Sequence, residues 1–108
     1  MLLSALAGCV SDPAPTEQLR LTEQALAQAK AVGADAQIPE LQQAADKLQL
    51  AQTAMADEAF KDARMQAEQA ELDARLAEAR VLTQKSETQL ASLNAQIKRL
   101  RLQLGDLQ

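Results

Sequence analysis

Apolar residues recur along this chain at spacings of three and four, the repeat of one face of an α-helix, and the longest unbroken run lies between Ala59 and Leu104. Those 46 residues contain neither glycine nor proline. As a helix they would extend about 70 Å. Two different stripes run along it. Phe60, Ala63, Ala67, Ala70, Ala74, Ala77 and Val81 share one face and are nearly all alanine, which lets another helix approach closely. Nearly opposite, Leu72, Leu76, Ala79, Thr83, Ser86, Leu90, Leu93, Ile97, Leu100, Leu104 and Leu107 keep a strict heptad, the signature of a coiled-coil seam. From about residue 84 onward the leucine stripe is the only apolar face, and no other segment is long enough to cover all of it.

The earlier part of the chain predicts two shorter helices. Pro13 and Pro15 keep residues 11–15 out of a helix. Helix one then starts near Thr16, with Thr16 as N-cap and Glu17 in the first turn, where the helix dipole favours an anion. Its inner face is Leu19, Thr22, Leu26 and Ala29, and it stops at Gly33. Pro39 suits the first position of helix two, whose buried face reads Leu41, Ala45, Leu48, Gln52 and Met55, with Ala44 and Ala51 beside it. Asp57 is placed to cap helix three. The turn Asp57-Glu58-Ala59 has no glycine or proline, so a continuous helix from Pro39 to Leu104 remains an alternative. Asp57 with Lys61 and Glu71 with Arg75 are spaced as i, i+4 ion pairs. The expected fold is all-α: an antiparallel helical hairpin or three-helix bundle with a long C-terminal coiled-coil-like helix.

Composition narrows the function. The 108 residues suffice for one domain with a modest core. A single Phe and no Trp, Tyr or His leave no aromatic cation cage, no base-stacking platform and no imidazole catalysis. A net charge of -4 argues against nucleic acid, which requires a basic surface. Serine and threonine hydroxyls have neither a histidine nor an evident lysine base to activate them, so no enzyme, cofactor or small-molecule substrate is expected. Glu68, Glu71 and Asp73 spread around the helix and read as a solvated face rather than a metal site. Lys98, Arg99 and Arg101 read as solubilising positions beside the seam. Uncharged flanking residues such as Gln89, Asn94, Gln96 and Gln103 leave strand number and orientation unspecified.

The N-terminus supplies an address. Met1 to Cys9 is an apolar run closing on Leu6-Ala7-Gly8-Cys9, which resembles the lipobox of bacterial lipoproteins, and Cys9 is the only cysteine. The resemblance implies a lipid on the Cys9 thiol and removal of residues 1–8. The run is short and has no Lys or Arg, as a translation start assigned too late would leave it. Val10 follows the cysteine where lipoproteins kept in the inner membrane often carry Asp, which favours the outer membrane, while Asp12 leaves the inner membrane open. Residues 9–15 would then be the lipidated cysteine and a tether, 16–84 the bundle, and 85–108 its protruding extension.

Pro15-Thr16-Glu17-Gln18, Glu40-Leu41, Lys47-Leu48, Ala51, Ala54, Phe60, Ala63-Arg64, Ala67-Glu68-Gln69-Ala70-Glu71, Asp73-Ala74 and Ala77-Glu78-Ala79 together resemble the bacterial lipoproteins that contain domain of unknown function 4398. The similarity covers most of the chain after Cys9 and fades beyond about Thr88. It implies a helical, lipid-anchored envelope protein of Gram-negative bacteria. The family sometimes joins this region to a peptidoglycan-binding domain of the outer-membrane protein A type; none is expected here. Helix two and the start of helix three also look like a single tetratricopeptide unit, with Ala45, Ala63 and Ala70 where two helices cross. The expected function is that of a structural or adaptor lipoprotein on the periplasmic face of the outer membrane, near the cell wall. Leu90, Leu93, Ile97, Leu100 and Leu104 would form its interaction seam, toward a second copy or another helical envelope protein. The alternative is a soluble coiled-coil interaction protein without a lipid anchor.

Overall fold

Three helices account for nearly all of residues 11–106, the part of the chain that the computed structural model describes: α1 Thr16–Ala31, α2 Pro39–Ala56 and α3 Phe60–Asp106. No strand occurs among the described residues. Helix α1 follows Pro15, whose carbonyl accepts from the Leu19 N–H at 3.0 Å. Pro15 rather than Thr16 is therefore the N-cap, and Thr16 already lies in the first turn. Proline fits there because an N-cap residue needs no hydrogen bond from its own nitrogen.

Both interhelical turns end their preceding helix in the same way. After α1, Gly33 adopts φ 108 while its N–H reaches Lys30 O and the Ala34 N–H reaches Ala29 O. After α2, Glu58 adopts φ 59 while its N–H reaches Met55 O and the Ala59 N–H reaches Ala54 O. These crossed bonds are Schellman motifs, which require a left-handed residue just past the cap. Glycine takes that conformation freely; Glu58 does so at a steric cost. The break at residues 57–59 excludes a continuous helix from Pro39 to Leu104, and it puts Asp57 at the C-cap of α2, not at the start of α3. No ion pair forms between Asp57 and Lys61 for the same reason: Asp57 lies outside the helix that carries Lys61.

Partner residues give the directions of the helices. Gln18 meets Glu71, Gln28 meets Glu78 and Lys85 reaches Val32 O, so α1 and α3 run parallel. Glu40 pairs with Arg80 and Lys47 with Asp73, so α2 runs antiparallel to α3. The bundle is thus up-down-up. Its axis is alanine: Ala29, Ala44, Ala51, Ala63, Ala67, Ala70, Ala74 and Ala77 are fully buried, and the largest fully buried side chain is Thr22. The Thr22 hydroxyl lies 2.9 Å from both Gln18 O and Ala67 O and shares its one proton between them, tying α1 to the α3 backbone. Larger apolar residues gather at the distal end, where Leu26, Ile38, Leu41 and Val81 join the core with Val32 and Leu48 packed against it.

The buried face of α2 is rotated from the expected one. Leu41, Ala44 and Ala51 are buried, Ala45, Leu48 and Met55 are half-buried, and Gln52 is exposed. Close approach to α3 favours the smallest side chains at the contact, so the alanines take the centre and the wider residues flank it. Glu40, buried in the first turn of α2, pairs with Arg80 at 2.8 Å.

Beyond Val81 every described residue of α3 is exposed. A radius of gyration of 24.1 Å, against about 13 Å for a compact chain of this length, records that projection.

Three substitutions test this account. Ala74→Leu should cost about 1–3 kcal/mol through overpacking, whereas leucine at the exposed Ala95 should stay within about 0.5 kcal/mol. Glu58→Gly should raise stability by about 0.5–1 kcal/mol by relieving the left-handed strain. Urea melts of the three variants check both; a tolerated Ala74→Leu would contradict close helix contact.

Candidate functional site

The heptad residues follow one side of α3, drifting about a quarter turn around it from Leu72 to Leu104. Leu72, Leu76, Leu90, Leu93, Ile97, Leu100 and Leu104 are between 39% and 66% exposed. Leu72 and Leu76 lie on the back of the bundle, away from α1 and α2, because the alanine stripe of the same helix faces inward. The five expected seam residues, Leu90, Leu93, Ile97, Leu100 and Leu104, continue that line along the projecting part. Leu72 to Leu104 spans about 48 Å of helix. Leu82 and Leu102 are also exposed but lie off the a and d positions. Leu107 and Cys9 fall outside the described residues.

Nothing reactive lines this surface. Its side chains are aliphatic, with Ala79, Thr83 and Ser86 as smaller members in the middle, so what it can do is associate. Elsewhere, a cleft of about 430 Å³ lies where the α1–α2 loop meets α3, lined by Asp35, Ile38, Val81 and Lys85 among others. Lys85 closes one side of it by donating to Val32 O at 2.6 Å, placing a cation at the C-terminus of α1 where the helix dipole favours it. That contact was not legible in the sequence, since it depends on the register between α1 and α3.

The acidic trio does not converge. Glu71 accepts from the Arg75 Nε and Nη2 at 2.9 and 2.6 Å and from the Gln18 amide at 2.6 Å. Asp73 pairs with Lys47 at 2.6 Å, and Glu68 is exposed. Among the described residues no group of three or more His, Cys, Asp or Glu is placed to hold a metal ion. The hydrogen bonds from Arg75, then that from Gln18, hold the Glu71 carboxyl below its ordinary value.

The molecule is thus an all-α three-helix bundle whose last helix projects with an apolar line on its uncovered side. The family described as "Domain of unknown function (DUF4398)" matches residues 17–93, and the chain belongs to that family. The match runs past Thr88 to take in Leu90 and Leu93, further than the sequence motifs reach. A crystal structure of a DUF4398 family protein from Pseudomonas aeruginosa PAO1 is 62% identical, with a TM-score of 0.85, covering 89% of this chain and all of that one. No curated protein matches the chain.

Glu71 yields a pH prediction. A carboxyl whose value is depressed by folding stabilises the fold above its unfolded value of about 4.5, and that contribution is lost as pH falls through the lower folded value. Denaturant melts at pH 7 and pH 3 should show a smaller acid-induced loss for Glu71→Gln than for the parent chain. Equal losses would remove Glu71 from the acid response.

Proposed function

We propose that this chain is a lipid-anchored envelope lipoprotein, with the lipid on Cys9, acting without enzymatic activity or cofactor as a structural adaptor that docks helices along the leucine seam of α3. The observation that carries the adaptor role is the line of exposed aliphatic residues from Leu72 to Leu104, with the smaller Ala79, Thr83 and Ser86 in its middle. A continuous exposed apolar line marks an interaction surface. The lipobox-like Leu6-Ala7-Gly8-Cys9 supports the anchor, and Val10 supports the outer membrane with the bundle on its periplasmic face. None of the helices among the described residues is long and apolar enough to cross a membrane.

Residues 11–13 lie beside the start of α3, where the Arg64 Nη2 donates to Pro13 O at 3.3 Å. The seam runs away from that end of the bundle, Leu104 lying about 60 Å along the helix from Arg64. A docked helix would lie on the side of α3 that α1 and α2 leave open.

Metabolic labelling with a palmitate analogue, in cells expressing the gene from its native start, tests the anchor. Label is expected on the parent chain and absent from Cys9→Ser, which should move from the membrane to the soluble fraction. An unlabelled parent chain ends the lipoprotein reading and leaves a soluble coiled-coil interaction protein.

A further inference from the structure

Rows of large and small residues along the seam carry a further reading, which rests on its being a docking surface but not on the lipid. We infer that the occupant is a second copy of this chain, lying antiparallel, with Leu72 of one copy opposite Leu104 of the other. In that register the layers are Leu72 with Leu104, Leu76 with Leu100, Ala79 with Ile97, Thr83 with Leu93 and Ser86 with Leu90, each repeated by the two-fold axis. Every small or polar seam residue then faces a large aliphatic one, the alternation that fills a helix interface without voids. The Thr83 and Ser86 hydroxyls can each bond a carbonyl one turn back in their own helix. All seven exposed aliphatic residues of the line are covered.

Other arrangements fit worse. A parallel, in-register pair stacks Ala79, Thr83 and Ser86 on their own copies, leaving three successive weak layers in the middle, and sets Arg75 beside Arg80 of the second copy. Sliding the antiparallel pair by one heptad toward the bundle puts Thr83 on Ser86 and brings Gln69 into a layer. Sliding it the other way uncovers Leu72 and faces Arg80 with Arg101.

Charge points the same way. Residues 16–84 hold seven Lys or Arg against twelve Asp or Glu, net -5, whereas residues 85–108 hold four against two, net +2. The antiparallel pair lays each positive extension along the other copy's negative bundle; the parallel pair sets bundle against bundle. At the flanks, Arg101 comes beside Asp73, which already pairs with Lys47. Glu87 meets its own copy at the axis, the one like-charge contact in this register. The two α3 starts then lie at opposite ends of a rod, about 85 Å apart.

Disulfide trapping in the full chain with Cys9→Ser tests the orientation, using single Leu72→Cys and Leu104→Cys variants. Each alone is expected to stay unlinked under mild oxidation, and an equimolar mixture to give a covalent dimer. Self-linking of either single variant overturns the antiparallel arrangement. A Leu104→Cys chain that links to Met65→Cys in preference to Leu72→Cys overturns the register. Light scattering of the Cys9→Ser chain should give a dimer at tens of micromolar, and Leu93→Asn with Leu100→Asn should shift it to monomer with helix content kept. A monomeric Cys9→Ser chain ends the self-docking inference, and leaves the adaptor reading to a different helical partner and the lipid reading to the palmitate label.

Discussion

Close contact between helix backbones across an alanine axis is the constraint on which the rest of this structure depends. Among the described residues eight alanines have no exposed surface, and the one larger side chain buried as completely is Thr22. Methyl groups bring the helices near one another but remove little apolar area each, so the hydrophobic contribution per residue is small. Polar braces at the rim supply much of the specificity. Lys47 with Asp73, Glu40 with Arg80 and Gln18 with Glu71 fix the relative heights of the helices, and Thr22 on Ala67 O fixes α1 on α3 from within. Leu26, Ile38, Leu41 and Val81 then close the distal end, where the α1–α2 loop crosses and where the core stops.

The same constraint explains why α3 can outrun its partners. Helix nucleation is the costly step and propagation is favourable in good helix formers. The bundle holds the first part of α3 helical, and the following stretch is rich in Leu, Gln, Lys, Arg and Ala with no glycine before Gly105. The extension therefore continues as helix with no tertiary cover, and carries its leucines into the open.

Much of this was legible in the chain itself, for a reason that differs by element. The alanine face of α3 and its opposite leucine line are separate repeats on one long helix, so periodicity alone resolves them, and the alanines from Ala63 to Ala77 with Val81 are buried as that reading expects. Helix α2 was harder because its apolar residues span a wide arc. Periodicity centred its face one position off, on Ala45 and Gln52, since it carries no information on where the partner helices approach. The turn at Glu58 has no glycine to announce it, so the sequence placed a turn there but left a continuous helix as the alternative, and the crossed hydrogen bonds decide for the turn. Glu40 is an acidic residue in a first turn, ordinarily exposed; its burial follows from Arg80 arriving from α3, forty residues later. The heptad line was legible as a surface. The flanking glutamines select no orientation for what covers it, so that choice falls to the small and charged positions along the line.

The exact repeat of that line is itself a mechanical statement. A straight α-helix drifts about 20° per heptad against a seven-residue pattern. Over the alanine stripe, Ala63 to Val81, the drift amounts to roughly 50°, which fits within the width of one packed face. Over Leu72 to Leu104 it reaches roughly 90°, so on a straight rod the leucines would wind a quarter turn out of line. A second helix coiling left-handedly around the first takes up that drift and keeps each layer in register. Short helices such as α1 and α2 have no need of such winding, and their faces follow looser spacing. A heptad held across the projecting part of α3, where every described residue is exposed, is the repeat that a long, wound contact with a second helix would require.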